Sequence, residues 1–136
     1  MITWNERNKA VIEEFRAHGG RVKGWAPLML LTTTGAKTGQ SRIAPLMLVT
    51  DGDRILAVAS KGGYPKHPEW YLNLLAHPKV TVEVGSEKFD TTARILTGNE
   101  REQAFTRAVE VFPPYAAYQK RTAREIPVIA LERPAK

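Results

Sequence analysis

The stretch from Leu28 to Leu48, LMLLTTTGAKTGQSRIAPLML, constrains the fold more than any other part of the chain. Two apolar runs, Leu28 to Leu31 and Ile43 to Val49, flank a loop of Gly, Thr, Lys, Gln, Ser and Arg, the pattern of a β-hairpin with a polar, basic tip. Asp51-Gly52-Asp53 and Gly85-Ser86 are further tight-turn signals, each between short β-prone runs. A chain punctuated this way builds antiparallel strands. The hairpins argue against a parallel sheet, and no Rossmann glycine fingerprint is present.

The hairpin tip has the chemistry of an anion site. Lys37 and Arg42 carry charge, Thr38 and Ser41 carry hydroxyls, and Gly35 and Gly39 let backbone N–H groups approach a ligand without an intervening Cβ. Turn chemistry alone also accounts for the Gly, Thr and Ser residues. Charge distribution favours the site. From Arg16 to Lys66 there are eight basic residues against two acidic ones, so the whole formal net charge of +6 lies in the segment that contains the hairpin. An anionic partner is expected there: nucleic acid, an acidic membrane face or a phosphorylated small molecule.

The 136 residues fit one domain over 1–136, with an N-terminal helix at about 4–17 and the strand-rich part at about 27–133. WNERNKAVIEEFRA places Val11, Ile12 and Phe15 at helical spacing, with Trp4 further back, and Gly19-Gly20 ends it. Its apolar face is expected to cover the core. Weak peripheral contact with a membrane is the lesser alternative. RILAVAS makes a third strand ending in Ser60-Lys61-Gly62-Gly63, and a meander brings Lys61 toward Lys37 and Arg42. HPEWYLNLL reads as a short helix, and KVTVEV and KFDTTARIL as a second hairpin. A helix over 99–111 is expected to open with an Asn99–Glu102 capping box, and Pro113-Pro114 starts another that carries Tyr115 and Tyr118 on one face. IPVIALE closes the pattern. The sum is an α+β chain of six mostly antiparallel strands with flanking helices, suggesting a small β-barrel or a highly curved sheet.

With no cysteine, disulfides, thiolate nucleophiles and Cys-type zinc sites are excluded. His18, His67 and His77 have no ligand spacing, so no metal is expected. Leu30 stands where a Walker loop needs glycine, and a strand follows Thr38 rather than a helix, which disfavours nucleotide hydrolysis. No apolar run approaches the roughly 20 residues that span a bilayer, and the expected compartment is the cytoplasm. What remains suits a bound cofactor that does the chemistry while the protein supplies position and electrostatics.

The blocks LLTTTGAKTGQSR at 30–42, Pro45-Leu46, VASKGG at 58–63, KHPEWYLNL at 66–74 and PPYAAYQKRTAREIPVIALE at 113–132 together resemble the deazaflavin-dependent nitroreductase family. The resemblance implies a split β-barrel that uses coenzyme F420, whose phosphodiester and glutamate tail match the localised positive charge. By family pattern, Lys37, Thr38, Gly39, Gln40 and Arg42 would hold the phosphate and tail. Pro45, Ala59, Ser60, Lys61 and Gly62 would line the deazaflavin end, and Trp70 would help close the pocket. Tyr115 and Tyr118 would face the substrate as catalytic residues, orienting an oxygen or delivering a proton. Ala36, Ala44 and Phe112 depart from the family's frequent Arg, Asn and Tyr.

The expected activity is hydride transfer from reduced F420 to an electron-poor small molecule: a quinone, an enone or a nitroaromatic. Three rivals stand beside it: an FMN-using barrel reductase, a coenzyme carrier without turnover, and a basic barrel that binds nucleic acid. The last is disfavoured, because Trp25 and Tyr64 alone interleave the basic segment.

Overall fold

The computed structural model describes residues 4–134, with side chains from residue 8 onward. In chain order it contains α1 (Trp4–Ala17), β1 (Leu28–Thr34), β2 (Ser41–Met47), β3 (Val49–Asp51), β4 (Arg54–Val58), α2 (Glu69–Ala76), β5 (Lys79–Val84), β6 (Glu87–Thr92), β7 (Arg94–Ile95), α3 (Gly98–Val111), α4 (Pro114–Arg121) and β8 (Val128–Leu131). The strands form two antiparallel four-stranded sheets, ordered β2-β1-β5-β6 and β3-β4-β8-β7.

The expected six-stranded barrel is corrected here: the described residues hold eight strands, and neither sheet closes on itself. Two of the six expected strands bend. Leu48 breaks one and donates its N–H to the Pro27 carbonyl at 3.0 Å, while Ala93 breaks the other and donates to the Pro78 carbonyl at 2.8 Å. Both bonds extend the β1–β2 and β5–β6 pairings by one residue in register, and beyond them the chain passes into the other sheet. β2 and β6, the edges of the first sheet, thus continue as β3 and β7, the edges of the second.

Both faces of each sheet have cover, which explains the near-continuous apolar runs in β1, β4 and β8. Met29, Leu31, Val82, Ile55, Ile129 and Leu131 meet in one buried cluster with Trp70 and Leu74 of α2. The alternate residues Leu56, Val58, Val128 and Ala130 pack with Ala104 and Ala108 of α3 and with Tyr115. On the far side of the first sheet, Val11 and Phe15 of α1 pack on Leu28 and Leu30. Each such fully buried side chain contributes about 1.5–3 kcal/mol of transfer free energy.

The described apolar face of α1 is therefore committed to the sheet. Arg16 reinforces the docking with a two-bond pair to Glu83 of β5, at 3.0 and 2.9 Å. Peripheral membrane contact through this face has no support, and the Trp4 side chain lies outside the described residues. No described helix is long and apolar enough to cross a membrane.

The capping box expected at Asn99 does not form. Thr97 is the N-cap, without a side-chain hydrogen bond, and Glu102 pairs with Arg101 at 2.9 Å instead. Arg101 is 4% exposed; its guanidinium donates to the Ile126 carbonyl at 2.7 Å and to the Gln119 side chain at 2.8 Å, fastening α3 to the end of α4 and the approach to β8.

Candidate functional site

A cleft of about 730 Å³ runs along the free edge of β2. Arg42, Ala44, Pro45 and Leu46 form one wall, Ser60 and Lys61 line it after β4, and Trp70 and Asn73 enter from α2. Thr33, Tyr115 and Trp25 also line it, as does the carboxylate residue Glu69 at the start of α2. Pro45 fits this place because an edge strand tolerates a residue without an N–H. The expected meander is split, since β4 pairs with β3 in the second sheet and not with β2; Lys61 and Arg42 nevertheless line one cavity, and Lys37 does not.

The hairpin tip is braced from α2. Asn73, buried beneath it, accepts the Ala36 N–H at 3.0 Å and donates to the Thr33 hydroxyl at 3.2 Å. Within the tip, the Thr38 hydroxyl accepts the Gln40 N–H at 3.2 Å, and the Gln40 side chain accepts from Arg42 at 3.1 Å. Lys37, Thr38, Gly39 and Gln40 are exposed and stand at the tip outside the cleft lining. The charge count shrinks on inspection. Arg16 is paired with Glu83, and Arg54 with Asp51 and Glu100, so Lys37, Arg42 and Lys61 are the cations of that segment at the tip and cleft.

After β4 the backbone takes an unusual course. Ser60 is right-handed helical (φ −77°, ψ −39°), and Lys61, Gly62 and Gly63 follow at φ 46°, 61° and 81°. Lys61 is the one described non-glycine residue at positive φ, a conformation that costs on the order of 1 kcal/mol. A right-handed then left-handed pair makes successive N–H groups converge into an anion-binding concavity. The N–H groups of Ser60, Lys61 and Gly62 have no acceptor among the described residues. Gly63 is where α4 presses closest: a Cβ there would sit 2.8 Å from the Tyr118 carbonyl oxygen.

Tyr115 is 5% exposed, in contact with Phe112 (centroids 5.0 Å apart) and Tyr118 (6.2 Å). Its hydroxyl has no hydrogen-bond partner among the described residues, yet no buried side-chain polar atom there lacks one. The hydroxyl therefore keeps some solvent access, and Tyr115 is one of the residues lining the cleft. Burial, helped by Tyr118, pushes its pKa up to about 12, so it is a protonated donor throughout the neutral range. Tyr118 does not line the cleft; it stands behind Tyr115 with the Arg121 guanidinium 5.5 Å from its ring. Ala59 is buried in the core, and Gly62 is exposed beside the lining.

Sequence reasoning missed Thr33, Asn73, Arg121 and Arg124. Arg124 donates to the carbonyls of Ala59, Ser60 and Tyr64, and Arg121 to that of Gly62. Arg124 also meets His67 Nδ1 at 3.1 Å; burial, and then this cation, holds the imidazole below its usual pKa.

The F420H(2)-dependent quinone reductase family model matches residues 4–133. The chain belongs to that family. The F420H(2)-dependent quinone reductase Rv1261c of Mycobacterium tuberculosis is 43% identical over 120 residues, covering 85% of this chain and 79% of that one. A solved F420-H2 dependent reductase, FDR-A, is 52% identical with a TM-score of 0.73, over 78% of this chain and 94% of the other. A second solved structure, described as a domain-swapped dimer, is 46% identical with a TM-score of 0.76, over 95% and 97% of the two chains. Coenzyme F420 is accordingly the cofactor of this family's enzymes, and the residues here suit it. Three N–H groups without an acceptor among the described residues, the Lys37, Arg42 and Lys61 cations at the tip and mouth, and an apolar β2 wall match a ligand with a flat ring and an anionic tail.

Proposed function

We propose that the protein transfers hydride from reduced F420 to a quinone, with nitroaromatics and enones as poorer acceptors. The observation that carries this reading is the cleft itself, which Tyr115 lines together with Ser60, Lys61 and Arg42. When bound, the coenzyme supplies the hydride.

The protein's residues do the rest. Lys37 and Arg42, with Gln40 holding the Arg42 side chain, attract and orient the anionic tail at the hairpin tip. The Ser60–Gly62 amides and the Lys61 ammonium favour negative charge on the ring end, and Pro45 and Trp70 flank it with apolar surface. Tyr115 donates a hydrogen bond to one acceptor oxygen, favouring the charge that develops there as hydride arrives. Its high pKa suits holding that bond better than giving up the proton, so water completes the hydroquinone. Tyr118 supports Tyr115 through ring packing.

The test is anaerobic mixing of the protein with reduced F420 and a water-soluble naphthoquinone, followed by recovery of deazaflavin fluorescence. Saturable, protein-dependent oxidation is expected. Turnover with reduced FMN but not with reduced F420 would transfer the site to the FMN-using alternative.

A further inference from the structure

We propose that Arg124 is the positioning residue of the coenzyme site, fixing two peptide units so that the Ser60 and Lys61 amides face the cleft as an anion cradle. The inference rests on the reading that this cleft receives F420.

The argument is peptide geometry. In a planar trans unit the carbonyl and the N–H point in opposite directions. Arg124 Nη1 donates to the Ala59 carbonyl at 3.1 Å, and Nη2 to the Ser60 carbonyl at 2.7 Å. Those carbonyls share peptide units with the Ser60 and Lys61 N–H groups, so drawing both oxygens toward the guanidinium turns both amides away from it. Ser60 and Lys61 line the cleft and Arg124 does not, which places the guanidinium behind the loop and the amides in front. Nε holds the Tyr64 carbonyl at 2.9 Å, anchoring the far end of the same loop.

The electrostatics run the same way. No ion pair among the described residues involves Arg124; the neighbouring Glu125 is 3.4 Å from Arg101 instead. The guanidinium's positive charge therefore acts through the two peptide dipoles toward the cleft, where Glu69 is the one lining residue with a carboxylate. A lysine cannot replace it, because one ammonium lacks the planar fork that spans these acceptors.

The test uses the full chain and three readouts. In the parent protein, the Ser60 and Lys61 amide resonances are expected to shift on titration with F420, and the absence of a shift overturns the proposal without any variant. Arg124→Lys is expected to weaken F420 binding at least tenfold by deazaflavin fluorescence, and to raise the coenzyme KM while leaving the quinone KM unchanged. A merely structural arginine would change both KM values or neither. Equal F420 affinity in the two proteins overturns the proposal alone. Failure of the parent to bind F420 overturns the coenzyme reading and the proposal with it. If Arg124→Lys does not fold, the amide titration of the parent still decides the matter.

Discussion

Tyr115 is the residue whose burial and exposure conflict most informatively. It belongs to the packing with α3 and also lines the cleft. Tyr115→Phe is therefore expected to lower kcat by about tenfold or more, the worth of one charge-assisted hydrogen bond, with F420 affinity unchanged in a fluorescence titration. A loss of affinity with kcat intact would assign the hydroxyl to binding instead. His67 makes a second residue-scale prediction. Its native pKa lies below the usual value, through burial first and Arg124 second. As pH falls below about 6.5 the unfolded chain takes up a proton that the native state resists, so stability is lost on acidification. Chemical denaturation from pH 7.5 to 5 is expected to show this decline, and His67→Gln to flatten it. Neither Arg124 nor Asn73 was legible in the sequence as part of the site. Their partners include backbone carbonyls and amides, and sequence carries no mark of which peptide groups a distant side chain will meet.

At the scale of elements, the loop after β4 and helix α4 form one unit. Gly63 and Gly62 both have positive φ, but only at Gly63 would a Cβ meet the α4 backbone. Gly63→Ala is expected to cost about 2 kcal/mol and Gly62→Ala about 1 kcal/mol in urea denaturation, since the first adds a clash to the backbone strain. The β1–β2 hairpin has its own brace in Asn73. Asn73→Ala leaves the Ala36 amide and the Thr33 hydroxyl without their partner, at an expected cost of about 1–3 kcal/mol, and loosens the tip that holds Lys37. The helices and most strands were legible because their apolar period is local. The bends at Leu48 and Ala93 were not: Leu48 sits between Met47 and Val49 in an unbroken apolar run, Ala93 sits between Thr92 and Arg94, and no glycine or proline marks either break.

Across the whole molecule, the two sheets share bent edge strands, and that sharing places the free edge of β2 beside the end of β4. The sequence suggested a convergence of Lys61 with Arg42 and placed Tyr115 at the substrate, and all three line one cavity although β2 and β4 lie in different sheets. Net charge pointed to the segment that carries the hairpin tip but overcounted the cations there, since Arg16 and Arg54 serve ion pairs that hold elements together. The central claim is that this cavity and its cationic tip are built for an anionic deazaflavin coenzyme. Parallel titrations of the purified protein with F420, FMN and NADP, repeated at low and high salt, test it most directly. F420 is expected to bind tightest, salt to weaken its binding, and Lys37→Ala and Arg42→Ala each to weaken it further. Tighter binding of FMN, or F420 binding indifferent to salt and to both substitutions, would contradict it.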